Sequence, residues 1–338
     1  MAIARQLFRV PWVMLASIGL QSPVLADESP RLSLPLACEP GKTCFIQSYV
    51  DMDSGTGVRD FACGTATYEG HKGTDFRLLS TERAQSKVAV LASADGTIKG
   101  GRDGMPDVFA RQIGLDALKG RECGNGVVVD HGQGWETQYC HMLKGSVALK
   151  TGDAVKRGQR LGDIGYSGQA DFAHVHLEVR HNSKIVDPFS GLEPDSACSA
   201  DATSKPGLWD AAAVKAFAYA NGQIIQAAFS GALPNLDALE VSDSAQPPTR
   251  NSAQLVFFAR MTNLRAGDRI RVSVNGPGNF AIDNTSEPLD RNKSTYLSYA
   301  GKKLTATAWP QGRYKGTAKI LRGEAVVSEV NAQLDLAD

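Results

Sequence analysis

The residues best suited to chemistry lie in one short stretch, Ala173-His174-Val175-His176-Leu177-Glu178-Val179. Apolar and polar residues alternate through it. In an extended strand successive side chains point to opposite faces, so His174, His176 and Glu178 share one face and Val175, Leu177 and Val179 the other. Two imidazoles on one face of a strand suit a zinc site, which takes His nitrogen and carboxylate oxygen. For these residues alone, a His-x-His pair satisfied by ordinary hydrogen bonds is the plainer reading. Partners for a metal have to come from elsewhere in the chain.

Two upstream segments offer them. His71 and Asp75 sit four apart in Glu69-Gly70-His71-Lys72-Gly73-Thr74-Asp75. The two glycines disfavour a regular helix, and a glycine-permitted turn into a strand brings both side chains towards one point. Taken alone, the same residues also read as a polar turn facing water. His141 follows Tyr139 and Cys140, and by alternation shares a face with Tyr139, with Cys140 opposite. His131, in a hairpin turn, and His181, beside Asn182, read as solvated and receive no role.

The elements that must hold these groups read as strands and turns. Phe45 to Asp51 is strand-like. Val88 to Ala92 and Gly96 to Lys99 are two strands joined by a turn signal at Ser93-Ala94-Asp95-Gly96. Val127 to Asp130 and Thr137 to His141 form a hairpin around a Gly-rich turn. A further hairpin-like unit surrounds Gly152-Asp153 and Leu161 to Gly165. Between the strands lies an excursion over residues 101–122, with helical character from Phe109 to Leu118. Loops of that length in a compact domain are often functional, which makes it a candidate cleft wall or flap as well as a plain surface insertion.

Gly191 to Gly207 is polar and Pro-containing, a plausible boundary. Helix-compatible Trp209 to Tyr219, strand-like Ile224 to Phe229 and linker-like Leu233 to Arg250 follow. Beyond them short strands recur: Leu255 to Met261, Ile270 to Val274, Tyr296 to Tyr299, Leu304 to Trp309, Thr317 to Leu321 and Ala325 to Leu336. Ile270, Val272 and Val274 alternate with Arg271 and Ser273, the pattern of a half-buried strand. Roughly a hundred residues or fewer of this kind suit a β-sandwich. Its Trp309 and Tyr299 could bind sugar faces, although aromatics in a sandwich are more often core.

The chain has 338 residues, 36 Lys+Arg against 36 Asp+Glu, and 34 glycines. A net charge of zero argues against nucleic-acid binding through bulk positive charge. Arg5 and Arg9, the apolar run Val13 to Leu20 and Val24-Leu25-Ala26 have the order of a secretory signal peptide, cleaved after Ala26. The run falls short of the roughly 20 apolar residues a membrane span needs, and Pro11 and Pro23 interrupt the alternative, an amphipathic helix. Export agrees with six cysteines, since oxidising compartments favour disulfides. Six can pair in over a dozen ways. Cys38 and Cys44 are near enough to close a small loop, Cys123 and Cys140 flank the hairpin, and Cys63 and Cys198 remain. No Cys-x-x-Cys spacing supports a zinc-cysteine cluster.

His71-x-x-x-Asp75, His141 and His174-x-His176 occur in order. With Gly124-Asn125-Gly126-Val127-Val128-Val129-Asp130-His131-Gly132, Val155 to Gly162 and Gly165-Tyr166-Ser167-Gly168, they resemble the lysostaphin-type zinc metallopeptidases, which cut peptides in bacterial peptidoglycan. The resemblance covers roughly residues 65–190. Together with the residue patterns above, the chain reads as mainly β: a signal peptide (1–26), an antiparallel peptidase domain (27–200) that the resemblance makes lysostaphin-type, a linker segment with a short helix and strand (201–250), and a smaller β-sandwich (Ig-like) domain (251–338). The resemblance also implies one Zn2+ per chain on His71, Asp75 and His176, with His141 and His174 as catalytic histidines and Glu178 as a weaker candidate behind them, orienting a histidine. Three protein ligands leave a fourth position for water, which zinc brings to a pKa of about 7. The implied substrate is peptidoglycan stem peptides, the implied place periplasmic or secreted, with no membrane span after cleavage of the signal. A non-catalytic regulator of other wall hydrolases and a zinc protease acting on Gly-rich proteins are the alternatives.

Overall fold

The computed structural model describes Met1, residues 29–219 and residues 221–337. Apart from Met1, the expected signal peptide lies outside the described residues. Strands β1 (Cys44–Ser48), β2 (Thr74–Leu78), β3 (Ala89–Leu91), β4 (Gly96–Arg102), β5 (Asn125–Gly132), β6 (Trp135–Met142), β7 (Ala154–Val155), β8 (Arg160–Asp163), β9 (His174–His181) and β10 (Lys184–Ile185) form the first part of the chain. Short helices α1 (Thr81–Gln85), α2 (Ala110–Ile113) and α3 (Leu115–Leu118) interrupt them. Then come α4 (Ala211–Ala216), β11 (Gln223–Ser230) and α5 (Leu236–Val241). The last part is β12 (Gln254–Leu264), β13 (Arg269–Gly276), β14 (Phe280–Thr285), β15 (Lys293–Lys303), β16 (Gly312–Arg322) and β17 (Ala325–Leu336).

The fold is mainly β and antiparallel. One sheet runs β1-β2-β9-β6-β5-β4-β7, with β10 beside β9, and β3 pairs with β8 separately. In β9 the alternation is realised: Val175, Leu177 and Val179 are fully buried in the first core, while His176 and Glu178 on the other face are only partly covered. The β5–β6 hairpin closes on Gln133 and Gly134, both with positive φ, as a two-residue turn requires.

Several local expectations are corrected. β3 and β4 do not pair across Ser93–Gly96: β4 joins β5 and β7, and β3 joins β8. The residues after β3 are tied instead to the 156–159 loop, where Asp95 accepts bonds from the Arg157 amide and Lys156. For the same reason the unit around 152–165 is not a hairpin. The helix expected over 109–118 is broken in two at Gly114, whose φ is 88°. The 101–122 excursion is pinned along its length: Asp103 accepts from the Gly145 and Val147 amides, Asn125 bonds both backbone groups of Met105, and Asp107 accepts from Lys144 and Tyr166.

After residue 200 the chain divides between two cores. Trp209, Ala213 and Phe217 pack into the first, whereas β11 pairs with β12 in the sheet β11-β12-β15. That sheet faces β14-β13-β16-β17, and Phe257, Ile270, Val272, Tyr314 and Ile320 fill the space between them. α5 lies within the stretch read as linker. Leu304 to Trp309 is not a strand, and Phe280–Thr285 is one that the pattern did not suggest. Trp309 is core, donating to the Ser252 carbonyl, while Tyr299 is 45% exposed. Disulfides join Cys38 to Cys44, Cys63 to Cys198 and Cys123 to Cys140.

Candidate metal centre and active site

Strand register sets the site. Residues directly opposite in an antiparallel pair share a face. Asp75 stands opposite His176, and so does Cys140; Arg77 stands opposite His174. The row therefore runs Asp75–His176–Cys140 across three adjacent strands. His71 enters from the turn before β2, where Gly70 has a φ of 71°. Gly73 lies so close to β9 that a Cβ there would sit 2.6 Å from His176 Nε2 and from the Leu177 carbonyl oxygen.

His141 departs from simple alternation. Tyr139 faces the core and is fully buried, and a regular strand would send His141 the same way. Instead the His141 backbone has a φ of 63°, a left-handed conformation that costs a non-glycine residue about 1–2 kcal/mol. Its amide donates to the Cys123 carbonyl and its carbonyl accepts from Gly165. The ring consequently lies 4.5 Å from that of His174 and 5.9 Å from that of His176, centroid to centroid.

Three atoms converge. His71 Nε2 is 3.2 Å from Asp75 Oδ1 and 3.1 Å from His176 Nδ1, and His176 Nδ1 is 2.9 Å from Asp75 Oδ1. His174 Nε2 is 3.6 Å from the same carboxylate oxygen. Bonds of about 2.0–2.1 Å to a tetrahedral zinc place ligand atoms roughly 3.3 Å apart. The observed spacings lie within a few tenths of an ångström of that. His71, Asp75 and His176 are also the set of His, Cys, Asp and Glu groups, among the described residues, whose donor atoms cluster closely enough to hold a metal. The donor set fits zinc.

Backbone carbonyls define the tautomers. His71 Nδ1 donates to the Tyr49 carbonyl at 2.7 Å, His141 Nδ1 to Ser167 at 2.8 Å and His174 Nδ1 to Phe172 at 2.9 Å. Each Nε2 then carries a free lone pair. Burial alone would raise the Asp75 carboxyl, but the adjacent His71 and the hydrogen bond from His176 hold it well below the usual carboxylate range. Burial, with neighbouring His174 and His176, pushes His141 far below the ordinary histidine value. Burial outweighs Asp75 at His174 and lowers it to about 4. Both imidazoles are neutral at pH 7.

The remaining sequence candidates fall out differently. Glu178 lies on the expected face and lines the cavity, but its carboxylate accepts from Arg180 at 2.6 Å rather than from a histidine. His131 is not solvated: its ring bridges the Asp95 carbonyl and Thr137 Oγ1. His181 stacks on Trp135 at 4.3 Å. The sequence reading missed two aromatic rings at the site. Tyr68 stacks on His71 and Phe172 on His174, both at 4.3 Å. Tyr68 stands three residues before His71 and Phe172 two before His174, which is the signal that was present for them.

Residues 69–188 match the family model described as Peptidase family M23. The cell division protein DipM of Caulobacter vibrioides is 30% identical over 112 residues, 33% of this chain and 16% of that protein. The peptidoglycan DD-endopeptidase ShyA of Vibrio cholerae is 41% identical over 56 residues, 17% of this chain and 13% of that protein. A solved structure of a putative M23 peptidase from Pseudomonas aeruginosa is 30% identical, covering 35% of this chain and 41% of that one, with a TM-score of 0.25. The chain thus spans less than a quarter of the length of either named relative. Over residues 69–188, this chain carries a metallopeptidase domain of the lysostaphin-type family M23.

Proposed function

We propose that the chain is an exported zinc endopeptidase that hydrolyses peptide cross-links of bacterial peptidoglycan. The observation that carries this is the convergence of His71 Nε2, Asp75 Oδ1 and His176 Nδ1 beside two neutral histidines, inside a domain whose relatives include a named peptidoglycan DD-endopeptidase. Export to the periplasm draws support from the basic-apolar order of residues 1–26 and from three disulfides.

His71, Asp75 and His176 would hold the zinc. When bound, zinc acidifies water and polarises a carbonyl. The chain supplies the proton handling. His141 and His174 each present an Nε2 lone pair, with Nδ1–H committed to a carbonyl. One Nε2 accepts the proton of the attacking water, and the proton then passes to the leaving amine nitrogen. The protonated ring stabilises the negative charge that develops on the carbonyl oxygen. Burial of both rings strengthens these interactions by lowering the local dielectric.

The test is incubation of purified mature protein with isolated peptidoglycan, with and without chelator, followed by mass analysis and zinc determination. The expected result is one zinc per chain and loss of cross-linked dimers, with both abolished in His176→Ala. Cleavage that persists in His176→Ala or after zinc removal overturns the mechanism. Failure to cleave any wall type favours a non-catalytic regulator.

A further inference from the structure

The candidate centre opens on two sides. One cavity, about 570 Å³, is lined by His71, His141 and His176 together with Glu122, Gln138 and Glu178. The second, about 470 Å³, includes Asp75 and His174, and part of its lining comes from later in the chain: Leu236 and Asp237 of α5, in the segment read as linker, and Ser294 and Thr295 of β15. That wall is firmly seated. Glu240 accepts from buried Arg77, Asp243 accepts from Ser80 and Arg83, and Gln47 donates to the Ser294 carbonyl at 2.7 Å. None of these contacts uses Asp237, whose side chain is 82% exposed.

Across from Asp237 stands Arg111, on the excursion. Its Nη2 lies 3.7 Å from Asp237 Oδ1, and its Nη1 donates to the Asp171 carbonyl at 3.1 Å. An exposed pair at that distance contributes little, so partner exchange with an incoming charged group costs little. A lone ammonium would meet Arg111, and a lone carboxylate would meet Asp237 and Asp171. A group carrying both charges satisfies both sides.

We propose that α5 and β15 together form one wall of the substrate groove, and that Asp237 and Arg111 together select a zwitterion, its ammonium on Asp237 and its carboxylate on Arg111. This rests on the peptidoglycan reading above, where the free amino-acid end of a diamino acid in the stem peptide has that chemistry. The chain beyond residue 200 is then part of the specificity machinery rather than a separate binding module.

The zinc-loaded full chain is assayed on three cross-linked muropeptide dimers: unmodified, acetylated at the free amine, and amidated at the adjacent carboxylate. Each modification is expected to lower kcat/KM about tenfold, mainly through KM. Asp237→Asn is expected to lower kcat/KM on the unmodified dimer by about the same factor, to become indifferent to acetylation and to keep its sensitivity to amidation. Arg111→Gln shows the converse. Equal cleavage of all three dimers by the unaltered enzyme overturns the inference and leaves the proposed function standing. So does an Asp237→Asn enzyme that still discriminates against acetylation. Cleavage of none of the three overturns both.

Discussion

Glu240→Ala tests whether a single buried carboxylate holds α5 and β12 against the sheet that carries Asp75 and His176. Arg77 lies two residues beyond Asp75 on β2 and is fully buried, donating to Gln47 at 2.8 Å and to Glu240 at 2.6 Å. Arg260 of β12 is also fully buried and comes within 3.5 Å of the other Glu240 oxygen. Burial and the nearby Arg77 lower Arg260 to about 10, which leaves it charged at neutral pH. Two buried cations therefore share one anion. Removing that anion leaves like charges facing each other away from water, and breaking a buried pair in this way costs about 3–5 kcal/mol. Glu240→Gln keeps an oxygen for Arg77 and loses only the charge, for an expected cost of about 1–3 kcal/mol. The assay is urea unfolding by tryptophan fluorescence, with peptidase activity followed in the same samples. For a urea slope of about 2–3 kcal/mol per molar, the alanine variant should unfold about 1–2.5 M earlier. Because the chain has two cores, activity should disappear before the first core unfolds. An alanine midpoint within about 0.3 M of the unaltered protein, with activity retained to the same urea concentration, would refute the argument.

Three further perturbations follow from the same geometry. Gly73→Ala places a Cβ 2.6 Å from His176 Nε2 and the Leu177 carbonyl; zinc content should fall below one per chain while far-UV circular dichroism stays unchanged, and a variant with full zinc and full activity would contradict the close-approach argument. Cys63 and Cys198 are 135 residues apart and Cys38 and Cys44 only 6; loop-closure entropy assigns about 5 kcal/mol to the first bridge and about 2 to the second. Thermal unfolding of Cys63→Ser/Cys198→Ser should therefore begin well below that of Cys38→Ser/Cys44→Ser, and the reverse order would count against it. Burial raises the Asp187 carboxyl to about 7, against the opposing bonds from Ser190. The folded chain then keeps a proton that the unfolded chain releases, so stability is fullest below the ordinary carboxylate value and falls as pH rises towards 7. Asp187→Asn should match the unaltered protein near pH 4 and exceed it by up to about 4 kcal/mol at pH 8, and a gap independent of pH would be evidence against the shift.

What could be read from the chain alone was set by local covalent geometry and residue chemistry. Alternation in an extended strand is a property of successive Cβ directions, so the common face of His174, His176 and Glu178 and the core face of Val175, Leu177 and Val179 were legible in seven letters. Ile270, Val272 and Val274 announced a half-buried strand for the same reason. The mainly β character and the family resemblance followed from such runs and from ordered motifs.

Tertiary structure decided whatever depends on partners distant in sequence. Alternation assigns His141 to the face of Tyr139, but the Cys123 carbonyl and Gly165 amide engage a left-handed backbone that turns its ring towards His174. The free lone pairs at His71, His141 and His174 depend on carbonyls of Tyr49, Ser167 and Phe172, and a carbonyl is present at every residue, so residue type carries no signal for it. β3 leaves β4 for β8, because competing strand partners are compared only when strands meet in space. Glu240 and Asp237 lie more than 60 positions beyond His174, in a stretch that reads as linker, yet the cavity at His174 is lined by both. The residues of β9 specified its two faces, and only the fold determined what each face would meet.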